Sequence, residues 1–138
     1  MARACLDASL EYAGSRQQFG QPIGGHQLIQ GMLADMITDT KAARALCVAA
    51  AERRAARDPA AIMDIATAKY FAARTAMRVA SDAVQIHGAN GCSEDYPVQR
   101  HFRDAKIMEI IEGSNQIQQM IIARHGLPRL PKTSGASA

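Results

Sequence analysis

The chain has 138 residues, 48% of them apolar, with a net charge of +3, no tryptophan and only 4% aromatics. This apolar content excludes a disordered polymer, and Lys and Arg scattered along the chain argue against a dedicated nucleic-acid surface, which would cluster them. Abundant alanine with few aromatics favours closely packed helices over a β-sandwich, in a length that suits one domain.

Leu6, Leu10 and Ala13 recur at helical spacing, so a first helix is expected over Ala2 to Ser15. No Ser, Thr or Asp precedes it as a cap, and it reads as though an upstream part belongs to the same element. Asp7 and Glu11 interrupt any apolar run, so it is not a signal peptide. "GQPIGG" breaks the helix, and from His26 a long pattern begins: Ile29, Met32, Leu33, Met36, Ile37, Thr40, Ala43, Leu46, Cys47 and Ala50. It closes in "ERRAAR", a solvated helix end, and Asp58-Pro59 stops it and starts the next. The third helix carries the stripe Ile62, Ile65, Ala66, Ala73, Ala76, Met77, Ala80, Ala83 and Val84, with Lys69 packing its stem inside and turning its head to water. "HGANGCSEDYP" interrupts; a shorter helix is expected over Val98 to Ile111, and a last one from Ser114 to Arg124. The predicted class is all-α, built of antiparallel helices, two of them long.

Cys5, Cys47 and Cys92 are odd in number and widely spaced, so they read as reduced thiols, small core residues of a cytoplasmic protein, and not as a disulfide framework. No run approaches the length of a membrane span. His26, His87, His101 and His125 lack the paired spacing of a metal site.

Three stretches invite chemistry. In "IIEGSNQIQ", Gly113 suits the left-handed end of one helix and Ser114 the N-cap of the next. Glu112 thus sits where the helix dipole disfavours a carboxylate, and an apolar pocket formed with Ile110 and Ile111 would raise its pKa toward that of a general base. The plain alternative is a water-exposed Glu-Gly cap. In "QIHGANGC", Gly88 and Gly91 would expose amides to a ligand while Gln85 and Asn90 offer side-chain bonds, or the loop simply ends a helix. In "SRQQFG", Arg16 suits a pyrophosphate, or is a surface arginine at a helix end.

Separately these signals are weak. Their order along the chain, "RQQFGQPIGGHQ", "ADM", "DAVQIHGANGC", "YPVQRHFRDAKIMEIIEGSNQIQ" and "IAR", resembles the C-terminal helical domain of acyl-CoA dehydrogenases up to about Arg124. The resemblance implies an antiparallel four-helix bundle with an extra C-terminal helix over residues 1–125. Residues 126–138, with two prolines, two glycines and almost no apolar mass, are expected to be a flexible tail. It implies FAD as cofactor and an acyl-CoA or acyl-carrier-protein thioester as substrate. A glutamate, here Glu112, removes the α proton; the β hydrogen leaves as hydride to the flavin, giving a 2-enoyl thioester. In the family the base's own N–H helps hold the enolate oxygen, and Gly113 leaves room for the thioester.

By the same resemblance, Arg16, Gln17 and Gln18 reach the cofactor of a neighbouring subunit, with His26 and Gln27 as a second contacting pair. Gln85, Ile86, His87, Gly88 and Ala89 hold the ADP half across a dimer interface, and Ser114, Asn115 and Gln116 touch FAD of the same site. Gln18, Ala89, Ile111 and Cys92 depart from the usual residues, the last two at positions that shape the acyl pocket. The family adds an N-terminal helical domain and a middle β-domain, so the chain is expected to be a fragment, an excised domain or half of a split enzyme. It would work with those domains, in a homodimer or homotetramer, and with an electron acceptor. The rival expectation is a non-catalytic helical assembly module of the same descent.

Overall fold

The computed structural model describes residues 1–127, as five α-helices, one small hairpin and two short 3-10 turns. Helix α1 is Ala2–Ser15, α2 Gln27–Ala55, α3 Ala61–His87, α4 Val98–Met108 and α5 Asn115–Gly126. Strands β1 (Gln17–Gln18) and β2 (Gln21–Pro22) pair antiparallel between α1 and α2, with Gln17 opposite Pro22 and Gln18 opposite Gln21. Of the expected tail over 126–138, Gly126 still belongs to α5, and residues 128–138 lie outside the described residues.

The hub is α3, on which α1, α2, α4 and α5 all pack. Its buried face is a run of small residues, Ala66, Ala73, Ala76, Ala80 and Ala83, with Val79 and Ile86. Small side chains let neighbouring backbones approach closely, and larger residues fill the gaps: Leu6 from α1, Leu33 and Met36 from α2, Val98 from α4. The expected element order and helix starts agree with this architecture.

The stripes, however, fade toward the α2–α3 turn. Leu46 and Val48 are exposed, as are Ile62 and Ile65, and Cys47 lies on the surface instead of in the core. The free end of that hairpin has only its own two helices to cover it, so periodicity marks the facing side but burial stops with Ala43, Ala50, Ala61 and Ala66. Of the three cysteines only Cys5 is buried; Cys92 too is exposed, and all are unpaired. Burial pushes the Cys5 thiol up to about 11, so it is an inert core group. The turn is closed by the Asp58 carboxylate, which accepts the Ala60 N–H at 2.8 Å, and by Arg53, which pairs with Asp64 at 2.8 Å.

Helix α4 ends at Met108, three residues before the expected Ile111. The reason is backbone conformation: Glu112 and Gly113 both adopt positive φ, 54° and 83°. A second left-handed pair, Phe19 (φ 51°) and Gly20 (φ 79°), forms the tip of the hairpin, the geometry that two-residue hairpin turns require.

Candidate active site

Helices α1 and α3 bring two of the chosen stretches together. Arg16 and Gln18 line one cavity of about 290 Å³ with Ile86, His87, Gly88 and Ala89; Tyr12, Ile23 and Asn90 complete it. Residues some seventy positions apart in the sequence thus share a wall because α1 lies against the C-terminal half of α3. The hairpin fixes the rim: the Ile23 N–H donates to the Arg16 carbonyl at 2.8 Å. His26 receives the Gln21 amide on Nδ1 at 3.2 Å and contacts the Gln18 carbonyl through Nε2 at 3.3 Å, so a neutral ring protonated on Nε2 satisfies both bonds. Gln17, Gln27 and Gln85 are exposed. Phe19, which carries no signal of its own in the sequence, stands 91% exposed at the hairpin tip, edge-on to His26.

The floor of this cavity is an aromatic cluster. Tyr12 stacks on His87 with ring centroids 4.2 Å apart, and Tyr96 meets both rings edge-on. Asn90 Nδ2 donates to the Tyr12 hydroxyl at 2.9 Å and to the Tyr96 hydroxyl at 3.4 Å. Asn90 Nδ2 is therefore engaged inside the fold, while the residue also lines the cavity. The expected amide display is also narrower than the glycines suggest. The Gly88 N–H caps α3 by donating to the Gln85 carbonyl, and Gly91 is buried against Val84. Gly88 itself sits at φ 60° and ψ −138°, a conformation reserved for glycine.

His87 is buried, and its Nδ1–H donates to the Ala83 carbonyl at 2.8 Å. Burial lowers its pKa below the ordinary 6.5, only partly opposed by that bond. The unfolded chain then takes up this proton at a higher pH than the fold does, so stability rises with pH through the window below about 6.5 and is complete above it. Urea midpoints should fall between pH 7.5 and 5.5, and His87→Phe should flatten that slope. His101, also lowered by burial, contributes in the same window and supplies the residual slope.

The third stretch lies elsewhere, at the junction of α4 and α5. The Glu112 side chain is exposed, with Ile110 and Ile111 59% and 42% exposed beside it, so this chain by itself does not enclose the carboxylate in the expected apolar pocket. Any further wall must come from outside the described residues. Ser114 caps α5, its hydroxyl accepting the Ile117 N–H at 3.4 Å. Among the described residues, the N–H groups of Glu112 and Gly113 donate to no backbone carbonyl. Ser114 is half-buried and Gln116 exposed, whereas Asn115 is buried and turned inward. Asn115 accepts from Lys69 Nζ at 3.4 Å, so Lys69 reaches α5 instead of turning its head to water. Gln118, also missed, is buried beneath the junction; its position four residues after the cap Ser114, on the inward face with Asn115, was the available signal.

Among the described residues there is no group of three or more His, Cys, Asp or Glu able to hold a metal, and no helix long and apolar enough to cross a membrane.

Known proteins place this geometry in a family. The family model for "Acyl-CoA dehydrogenase, C-terminal domain" matches residues 1–127. A probable acyl-CoA dehydrogenase, YngJ of Bacillus subtilis, is 47% identical over 124 residues, 90% of this chain and 32% of that protein. The structure of butyryl-CoA dehydrogenase from Megasphaera elsdenii superposes with a TM-score of 0.89 at 45% identity, over 92% of this chain and 33% of that one. An FAD complex of PigA superposes at 0.86 with 31% identity, over 90% of this chain and 32% of that one. The chain thus spans about a third of the length of these relatives. It belongs to the acyl-CoA dehydrogenase family, and what it represents is that family's C-terminal helical domain.

Proposed function

We propose that this chain supplies the proton-abstracting base and part of the cofactor-facing surface of an FAD-dependent acyl-CoA dehydrogenase, completed by the N-terminal and β segments found in its relatives. The observation that carries the reading is Glu112, an exposed carboxylate held in a left-handed backbone at a helix junction, with its own N–H and that of Gly113 unspent among the described residues. An α proton next to a thioester carbonyl is acidic only if the developing oxyanion meets preoriented donors. A carboxylate and unspent backbone amides at one short turn supply an acceptor for the proton and a donor for the oxygen. Glu112 would take the proton from the α carbon, and Gly113, without a side chain, would leave the approach open.

The residues fit the cofactor. Arg16 at the mouth of a cavity bounded by the Gly88 turn suits a diphosphate-bearing ligand, because its planar guanidinium can bind phosphate oxygens in pairs. Arg16, Gln17, Gln18, His26, Gln27 and Gln85 to Ala89 would hold FAD on this side, with Ser114 and Gln116 at the other. Asn115, named with these by the family resemblance, would serve from inside the fold. When bound, FAD supplies the hydride acceptor for the β hydrogen. Because the cavity lining does not include Glu112, the two groups suit cofactors shared between subunits of a homodimer or homotetramer. The uncovered Leu46, Val48, Ile62 and Ile65 offer an apolar face for such assembly. The substrate is an acyl thioester on CoA or a carrier protein, the flavin is reoxidised by a separate electron acceptor, and three unpaired cysteines suit the cytoplasm.

The test is to join the chain to the first two-thirds of a relative such as the Megasphaera butyryl-CoA dehydrogenase and record the flavin spectrum. Stoichiometric yellow protein that bleaches on addition of acyl thioester is expected, whereas the 138-residue chain alone should bind FAD weakly. Absence of bleaching in a flavin-loaded assembly, or full turnover by the chain alone, overturns the reading.

A further inference from the structure

Left-handed φ is unfavourable at a non-glycine residue and persists only where the surroundings over-determine it. At Glu112 those surroundings can be named. Gln118 is 8% exposed, and its Nε2 donates to the carbonyls of both Glu112, at 3.3 Å, and Gly113, at 3.2 Å. An amide NH₂ has two hydrogens, and here it has two acceptors. A Cβ on Gly113 would lie 2.6 Å from that same nitrogen, so the amide sits directly against the left-handed turn.

Asn115 closes the other side. Its N–H donates to the Glu109 carbonyl at 2.8 Å, and its Nδ2 reaches Glu109 Oε1 at 3.4 Å. Glu109 is in turn paired with Lys106 at 2.6 Å, and Asn115 Oδ1 receives Lys69 Nζ at 3.4 Å. The six-residue break between two helices is thereby anchored to α3, the hub of the fold.

We propose that Gln118 is a positioning residue that locks the Glu112–Gly113 turn and so fixes where the base and its neighbouring amides point, with Asn115 and Lys69 anchoring the lock to α3. This rests on Glu112 being the base. Gln118 touches neither the carboxylate nor, through any observed contact, a reacting group; it acts through the backbone that carries them.

Gln118→Met keeps the length of the side chain and removes both donors; Gln118→Leu also removes both donors with an apolar side chain, and carries the same test should the methionine variant fail to fold. In the full chain, amide exchange at Asn115, whose N–H closes the turn, should accelerate at least about tenfold while amides of α3 hold their rates. In the flavin-loaded assembly, kcat for α-proton exchange should fall at least about tenfold with KM within about twofold, the signature of a misdirected base and not of lost substrate binding. Unchanged Asn115 exchange, or normal kcat beside an inactive Glu112→Gln, overturns the lock alone. Undiminished turnover in Glu112→Gln overturns the base assignment, and the role of Gln118 with it.

Discussion

Glu112→Gln is expected to reduce α-proton exchange and dehydrogenation by about 10²–10⁴-fold in the flavin-loaded assembly, the range a positioned general base contributes. Glutamine preserves size and the backbone constraint but accepts no proton at neutral pH. The melting temperature should stay within about 1 °C, because glutamine matches glutamate in size at the same left-handed backbone and the side chain is exposed. Glu112 is exposed and, among the described residues, makes no ion pair. Substrate-induced perturbation of the flavin spectrum should survive, since the thioester can still bind. Lost activity with intact binding and stability separates a catalytic domain from the rival, an assembly module that kept the fold and lost the chemistry; turnover unchanged within about threefold would favour that rival.

The fold was legible where the chain is punctuated by Gly and Pro. The end of α1 and the starts of α3 and α4 follow from "GQPIGG", Pro59 and Pro97, since these residues act on the backbone locally. The end of α4 was not, because Ile110 and Ile111 continue its apolar pattern. The left-handed turn that follows it is held by Gln118 and Asn115 reaching back from α5, a tertiary effect invisible to a local window. Periodicity likewise chose the correct face for α2 and α3 but could not say how far a neighbour extends. Cys47, Ile62 and Ile65 therefore read as core and lie exposed.

For the site, motif order named the residues, and only the packing of α1 on α3 could bring Arg16 and Gln18 to one cavity with residues 86–89. Residue type was a poor guide to role within these motifs. Asn90 and Asn115 look like ligand-binding amides and also tie the fold internally; Gln118 looks like helix surface and is buried. A polar side chain has the same pattern in sequence whether its partner is a ligand or a carbonyl of its own chain.

Glycines illustrate the same ambiguity with a measurable consequence. Gly91→Ala is expected to be the most destabilising Gly→Ala change among the described residues. A Cβ there would stand 2.5 Å from the Val84 carbonyl oxygen, 2.9 Å from Val84 Cα and 3.1 Å from His87 Cβ. The first two are backbone atoms inside α3, the hub, and cannot rotate away as a flexible side chain would. Forcing a methyl into such a contact costs about 3 kcal/mol, the upper end of usual overpacking penalties. For a domain of this size that is a fall of about 10 °C in melting temperature. The turn must shift outward, carrying Asn90 off the Tyr12 and Tyr96 hydroxyls and opening the cluster beneath the Arg16 cavity. Flavin affinity in the assembly should therefore fall together with stability. Gly31→Ala supplies the control: Gly31 lies within α2 with nothing within 4 Å of an added Cβ, and alanine there should stabilise by about 0.5–1 kcal/mol. Equal melting temperatures for the two variants would mean that Gly91 does not pack against the Val84 backbone, and that the turn holding residues 86–89 has room for a side chain.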